Sequence, residues 1–89
     1  MQARIYNYQT WIEETDPTRL KAQFETLLNK AGFGVLQVTE YHFKPFGFTA
    51  LFLLSESHLA IHTFPEENQT YIELSSCVKQ QFDNFLKLL

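Results

Sequence analysis

The chain has 89 residues, 45% of them hydrophobic and 16% aromatic, with nine Phe and a net charge of −3. That length predicts one domain, 1–89, with apolar side chains enough for a core and for a face that a second copy would cover. Lys and Arg are scattered singly, which speaks against nucleic acid or an anionic membrane as partner, and no apolar run nears the roughly 20 residues of a membrane span.

The opening MQARIYNYQTW lacks the apolar stretch of a signal peptide, and β-rich residues over 3–13 predict a strand. The clearest helix follows in TDPTRLKAQFETLLNKAGFG. Asp16 suits its N-cap, Pro17 suits its first position, and Leu20, Phe24, Leu27, Leu28 and Ala31 make one apolar stripe. Gly32 or Gly34 ends it. Strands are expected at 35–43 and 48–54, with KPFG turning between them. Over 58–64 the residues alternate: Leu59 and Ile61 face one way, His58, Ala60 and His62 the other. PEENQ is a turn and 70–76 a strand. CVKQQFDNFLKLL is a final helix, with Val78, Phe82, Phe85, Leu86 and Leu89 at helical spacing. The order β-α-β-β-β-β-α, joined by hairpin-like connections, predicts an α+β two-layer sandwich: an antiparallel sheet with two helices packed on one face. The other face would be left for a homodimer partner.

One stretch resists this plain reading. LLSESHLAIHTFPE places Ser55, Glu56, Ser57, His58 and His62 in the most apolar part of the chain, where unpaired polar groups are costly. Ser57 and His62 form no simple dyad, because an odd separation of five puts them on opposite faces of a strand. Either the chain bends near Glu56–Ser57, or both are ordinary strand positions. A Gly-x-Ser-x-Gly elbow and a glycine-rich phosphate loop are lacking. His58 and His62 would stand about 13 Å apart on one face, too far for one metal ion, so no metal site is expected. Cys77 is the single cysteine, so no internal disulfide forms, and a cytoplasmic setting with a reduced thiol is expected. It falls where the last helix should begin, a setting that favours a thiolate, although a small buried hydrophobe is an equal reading.

The same stretch, SESHLAIHTFPE, closely resembles the self-processing motif of bacterial and archaeal S-adenosylmethionine decarboxylase proenzymes. HFKPFGFTALFLL upstream resembles the strand-turn-strand of that family, and ELSSC stands where it carries an acidic residue and a cysteine. The resemblance runs without a gap from about Tyr41 to Cys77, twenty residues beyond Ser57. It implies that Ser57 attacks the carbonyl of Glu56 and that the chain splits between Glu56 and Ser57. Ser57 would then become an N-terminal pyruvoyl group, which forms a Schiff base with a substrate amine and takes up the electrons left by departing CO₂. By the same resemblance His62 handles protons during processing, Thr49 assists it, and Cys77 returns a proton after decarboxylation. The implied activity is decarboxylation of S-adenosylmethionine in polyamine (spermidine) biosynthesis, by a homodimer whose sites take help from the neighbouring subunit.

The chain departs from the family pattern in places. Its first strand lacks the Gly-x-His opening, Phe64 replaces a Trp, Glu73 an Asp and Val78 a Gly. The altered first strand motivates a second expectation, a pyruvoyl decarboxylase of arginine or ornithine. An ending at the last helix motivates a third, a non-processing homologue that binds a ligand or a catalytic partner.

Overall fold

The computed structural model describes residues 3–89; Met1 and Gln2, which open the expected 1–89 unit, lie outside them. The elements are β1 (Tyr6–Ile12), α1 (Pro17–Ala31), β2 (Val35–His42), β3 (Phe48–Leu54), β4 (Ser57–Phe64), β5 (Gln69–Ser76) and α2 (Lys79–Leu88). This is the expected order, with one 3-10 turn at Pro65–Glu67 inside the PEENQ segment. The strands form one antiparallel sheet in the order β1-β5-β4-β3-β2. β2 to β5 follow one another as hairpins, while β1 stands at the far edge beside β5. The chain therefore crosses the whole sheet between β1 and β2, and α1 makes that crossing. Its 15 residues span about 22 Å, close to the roughly 19 Å across five strands.

Local chemistry sets the ends of α1. The Asp16 carboxylate accepts the Arg19 N–H at 3.0 Å, and Pro17 occupies the first turn, where its missing donor costs nothing. Gly32, at φ 98°, closes the helix. Its N–H reaches Asn29 O at 3.1 Å and the Phe33 N–H reaches Leu28 O at 2.9 Å, the paired bonds of a Schellman cap. Leu20, Phe24, Leu28 and Ala31 of the predicted stripe are buried, and Leu27 is partly so.

These side chains meet Phe82 and Phe85 of α2 and a carpet of inward residues on the sheet, among them Phe48, Phe52, Leu59, Ile61, Ile72 and Leu74. β4 keeps the predicted alternation but begins at Ser57, one residue early, because Ser57 pairs with both Leu54 and Ser76. α2 begins two residues later than expected: Cys77 lies in a bend and Val78 is the N-cap. Its apolar stripe is also narrower, since Leu89 is exposed. The face away from the helices carries Trp11, Tyr41, Leu51, Leu53 and Phe64, all exposed.

The Gly32 cap gives a direct test. A Cβ there would have room, its nearest neighbour being Gln81 Cγ at 3.5 Å, so the penalty is one of backbone conformation. Gly32→Ala should lower the unfolding free energy by about 0.5–1 kcal/mol in urea titrations, the strain of a Cβ at positive φ less the entropy that alanine removes from the unfolded chain.

Candidate active site

The β3–β4 hairpin closes with Leu54 opposite Ser57, leaving Ser55 and Glu56 as the loop. Glu56 adopts φ 61°, the left-handed region, at a cost of about 1–2 kcal/mol for a residue with a Cβ. The strained residue is thus the one just before the bond expected to break, and strain of this kind concentrates at functional positions. The chain does bend here, but Ser57 and His62 both lie beyond the bend in β4, on opposite faces, so the turn does not bring them together.

Ser57 opens β4 on the helix-facing side and is 8% exposed. Its hydroxyl donates to Ser76 Oγ at 2.7 Å. Ser76 Oγ also accepts the Val78 N–H at 3.0 Å, so the free amide at the start of α2 is satisfied there. Cys77, the next residue, turns its thiol to Glu56: Sγ is 3.2 Å from the Glu56 carbonyl oxygen and 3.7 Å from its carboxylate Oε2. The expected helix N-terminal setting for Cys77 is therefore corrected. Its thiol is a donor aimed at the carbonyl of the bond between Glu56 and Ser57.

Thr49 and His62 form the second half of the site. They oppose each other across β3 and β4, and Thr49 Oγ1 lies 3.0 Å from His62 Nδ1. The His62 ring lies 6.3 Å from Tyr71 at an interplanar angle of 25°, and Tyr71 in turn lies 5.3 Å from Trp11. Partial desolvation, and then neighbouring Glu73, hold the Tyr71 phenol above its ordinary pKa. A groove of about 380 Å³ runs past this pair, walled by Phe43, Phe46 and Phe64 with Glu66 at its rim.

The five expected residues thus fall into two groups. Glu56, Ser57 and Cys77 are together, and Thr49 and His62 are together. Within one chain the groups do not meet: five residues along β4 is about 17 Å, and the two side chains project from opposite faces. His58 is exposed beside Leu53, and His42 lies 3.6 Å from Glu40 and against Phe48. Among the described residues no cluster of three His, Cys, Asp or Glu side chains forms a metal site. Ser76 is the residue that sequence reasoning missed. ELSSC contained it, but only the register that sets Ser57 against Ser76 reveals its contact.

Fold and site together define a two-layer α+β domain built around a strained Glu-Ser turn with a thiol on its carbonyl. The family model described as S-adenosylmethionine decarboxylase matches residues 7–89, and the chain belongs to that family. S-adenosylmethionine decarboxylase proenzyme 2 of Bacillus cereus is 45% identical over 58 residues, covering 65% of this chain and 47% of that protein. The S-adenosylmethionine decarboxylase proenzyme of Prochlorococcus marinus is 37% identical over 65 residues, covering 73% of this chain and 52% of its own. The chain thus spans about half the length of these curated relatives. In fold it is similar to the crystal structure of the adenosylmethionine decarboxylase from Aquifex aeolicus, with a TM-score of 0.72 over 100% of this chain and 82% of that one, at 19% identity.

The strain at Glu56 is measurable. In a Ser57→Ala background, which keeps the chain whole, Glu56→Gly should raise the unfolding free energy by about 0.5–1 kcal/mol, the relief of strain less the entropy that glycine adds to the unfolded chain. Urea titration of the two variants checks it.

Proposed function

We propose that this domain, 1–89, is a self-processing, pyruvoyl-dependent carboxy-lyase acting on S-adenosylmethionine in spermidine synthesis, and that it works as a homodimer. The observation that carries the reading is the Glu56–Ser57 bond: a left-handed residue before it, a buried hydroxyl after it, and a thiol 3.2 Å from its carbonyl oxygen. Relatives named as proenzymes support it.

Ser57 Oγ attacks the Glu56 carbonyl carbon. The Oγ–C bond forms, the C–N bond breaks, and the hydroxyl proton passes to the Ser57 nitrogen. The Cys77 S–H donates to the carbonyl oxygen as negative charge grows on it, the role of an oxyanion donor. Removal of the Ser57 Cα proton then expels the Glu56 carboxylate, and water releases ammonia from residue 57. Residues 1–56 and 57–89 result, the second opening on a pyruvoyl group. That group supplies an electron sink for decarboxylation of an amine substrate. Cys77, already beside residue 57, is the donor that returns a proton to the substrate carbon. A reduced thiol suits the cytoplasm, the setting this reading includes. Among the described residues no helix is long and apolar enough to cross a membrane.

The two-part site favours a dimer. His62 faces away from its own Ser57, on the face where Trp11, Leu51, Leu53 and Phe64 are exposed. A second copy set against that face would cover it, and in this reading that copy's residue 57 is the one that Thr49, His62 and the aromatic groove serve. In the tautomer whose Nδ1–H donates to Thr49 Oγ1, His62 presents Nε2 as the proton acceptor. The groove's aromatic walls suit a flat base, and Glu66 suits a hydroxyl or cationic group.

Intact mass after expression tests the processing step. Wild type should yield two fragments split between residues 56 and 57, with pyruvoyl at the new terminus; a persistent full-length mass sinks the enzyme reading and favours the non-processing one. Ser57→Ala should stay whole. Cys77→Ala should slow cleavage about tenfold as well as impair turnover. Released CO₂ from S-adenosylmethionine, set beside arginine and ornithine, assigns the substrate.

Mixing tests the shared site. His62→Ala chains should stay uncut alone. Unfolded and refolded together with Ser57→Ala chains, they should be cut in part, because hybrid dimers restore one complete site. No cutting in the mixture would mean that His62 acts within its own chain.

A further inference from the structure

Ser57 and Ser76 are direct partners in the antiparallel ladder between β4 and β5, and both side chains are buried on the helix-facing side. Among the described residues Ser76 Oγ is the one hydrogen-bond partner of Ser57 Oγ. A free serine hydroxyl samples three staggered wells; this contact selects one. The contacts of Ser76 favour one direction for the bond. Val78 engages Ser76 twice, its N–H donating to Oγ at 3.0 Å and its carbonyl oxygen lying 3.5 Å from Oγ, in reach of the Ser76 proton. With the Ser76 proton turned toward Val78, a lone pair remains for Ser57, and in that arrangement Ser57 is the donor. The reverse direction would place the Ser76 proton on Ser57 Oγ and occupy electrons needed for attack.

We propose that Ser76 is a positioning residue for self-cleavage, accepting the Ser57 O–H so that the Oγ lone pairs stay free for the Glu56 carbonyl carbon. The inference rests on the processing reaction above. Consecutive residues at the end of β5 then hold the two reactants: Ser76 the nucleophile, Cys77 the carbonyl oxygen. In the acyl shift Ser76 neither gains nor loses a proton overall. The Oγ–C bond forms, the C–N bond breaks, and the Ser57 proton ends on the Ser57 nitrogen. Val78 caps α2, so seating of that helix on the sheet orients the acceptor.

The test compares Ser76→Thr with Ser76→Val in the full chain, following loss of full-length mass with time. The two side chains have nearly the same shape, so a packing defect slows both; only Thr keeps the acceptor. Ser76→Thr should cleave near the wild-type rate and Ser76→Val about tenfold more slowly, the loss of one buried hydrogen bond in the transition state. Hydroxylamine, which cuts an ester but not an amide, should release no extra fragment from Ser76→Val, because the block precedes the ester. Equal rates for Thr and Val, or an ester that accumulates in Ser76→Val, overturn the assignment. Should Ser76→Val fail to melt cooperatively, Ser76→Ala gives the same contrast with Ser76→Thr. A wild-type chain that never cuts defeats the processing reaction itself, whereas a wild type that cuts with equal Thr and Val rates defeats only the role of Ser76.

Discussion

The register of β4 between β3 and β5 is the constraint on which the rest depends. Pairing Leu54 with Ser57 leaves a loop of two residues, and Glu56 turns the chain in the left-handed region. Pairing Ser57 with Ser76 brings the end of β5 against that turn, and with it Cys77. A slip of one residue would send Leu59 and Ile61 to solvent and His58 and His62 into the core. The hydrophobic alternation that secures the core therefore also holds the Glu56 carbonyl in contact with a thiol.

The same alternation divides the site. β4 gives its first residue to the buried face and His62 to the open one, and Thr49 meets His62 across the strand from β3. Neither half stands on a long flexible loop. One sits where β4 meets a tight turn and the other in the middle of a pleated sheet, so both are held by backbone ladders. Rigidity of this sort suits groups whose geometry must be held closely. It also keeps the two groups of a single chain apart.

Much of the fold was legible because each signal had a local cause. Asp16 and Pro17 mark the start of α1 through the free amides of its first turn, and Gly32 marks its end through a positive φ. The alternation over 58–64 reports the two environments of a sheet with one covered face. Boundaries were less legible where the cause was distant. CVKQQF reads as continuous helix, yet α2 waits until Lys79, because the Val78 amide is taken by Ser76 and the Cys77 thiol by Glu56. The apolar spacing of Leu89 likewise gave no hint that its side chain is exposed.

By itself the sequence determined the order of elements, the covered face of each strand, and the Glu-Ser-His and His-Thr residue types of the candidate site. These follow from periods of two and of 3.6 and from side-chain chemistry, which need no knowledge of distant neighbours. Only the tertiary structure decided which of those residues meet. Ser57 and Ser76 are nineteen positions apart, Cys77 and Glu56 twenty-one, and Thr49 and His62 thirteen. Each meeting comes from strand register, a property of paired strands that no single segment contains.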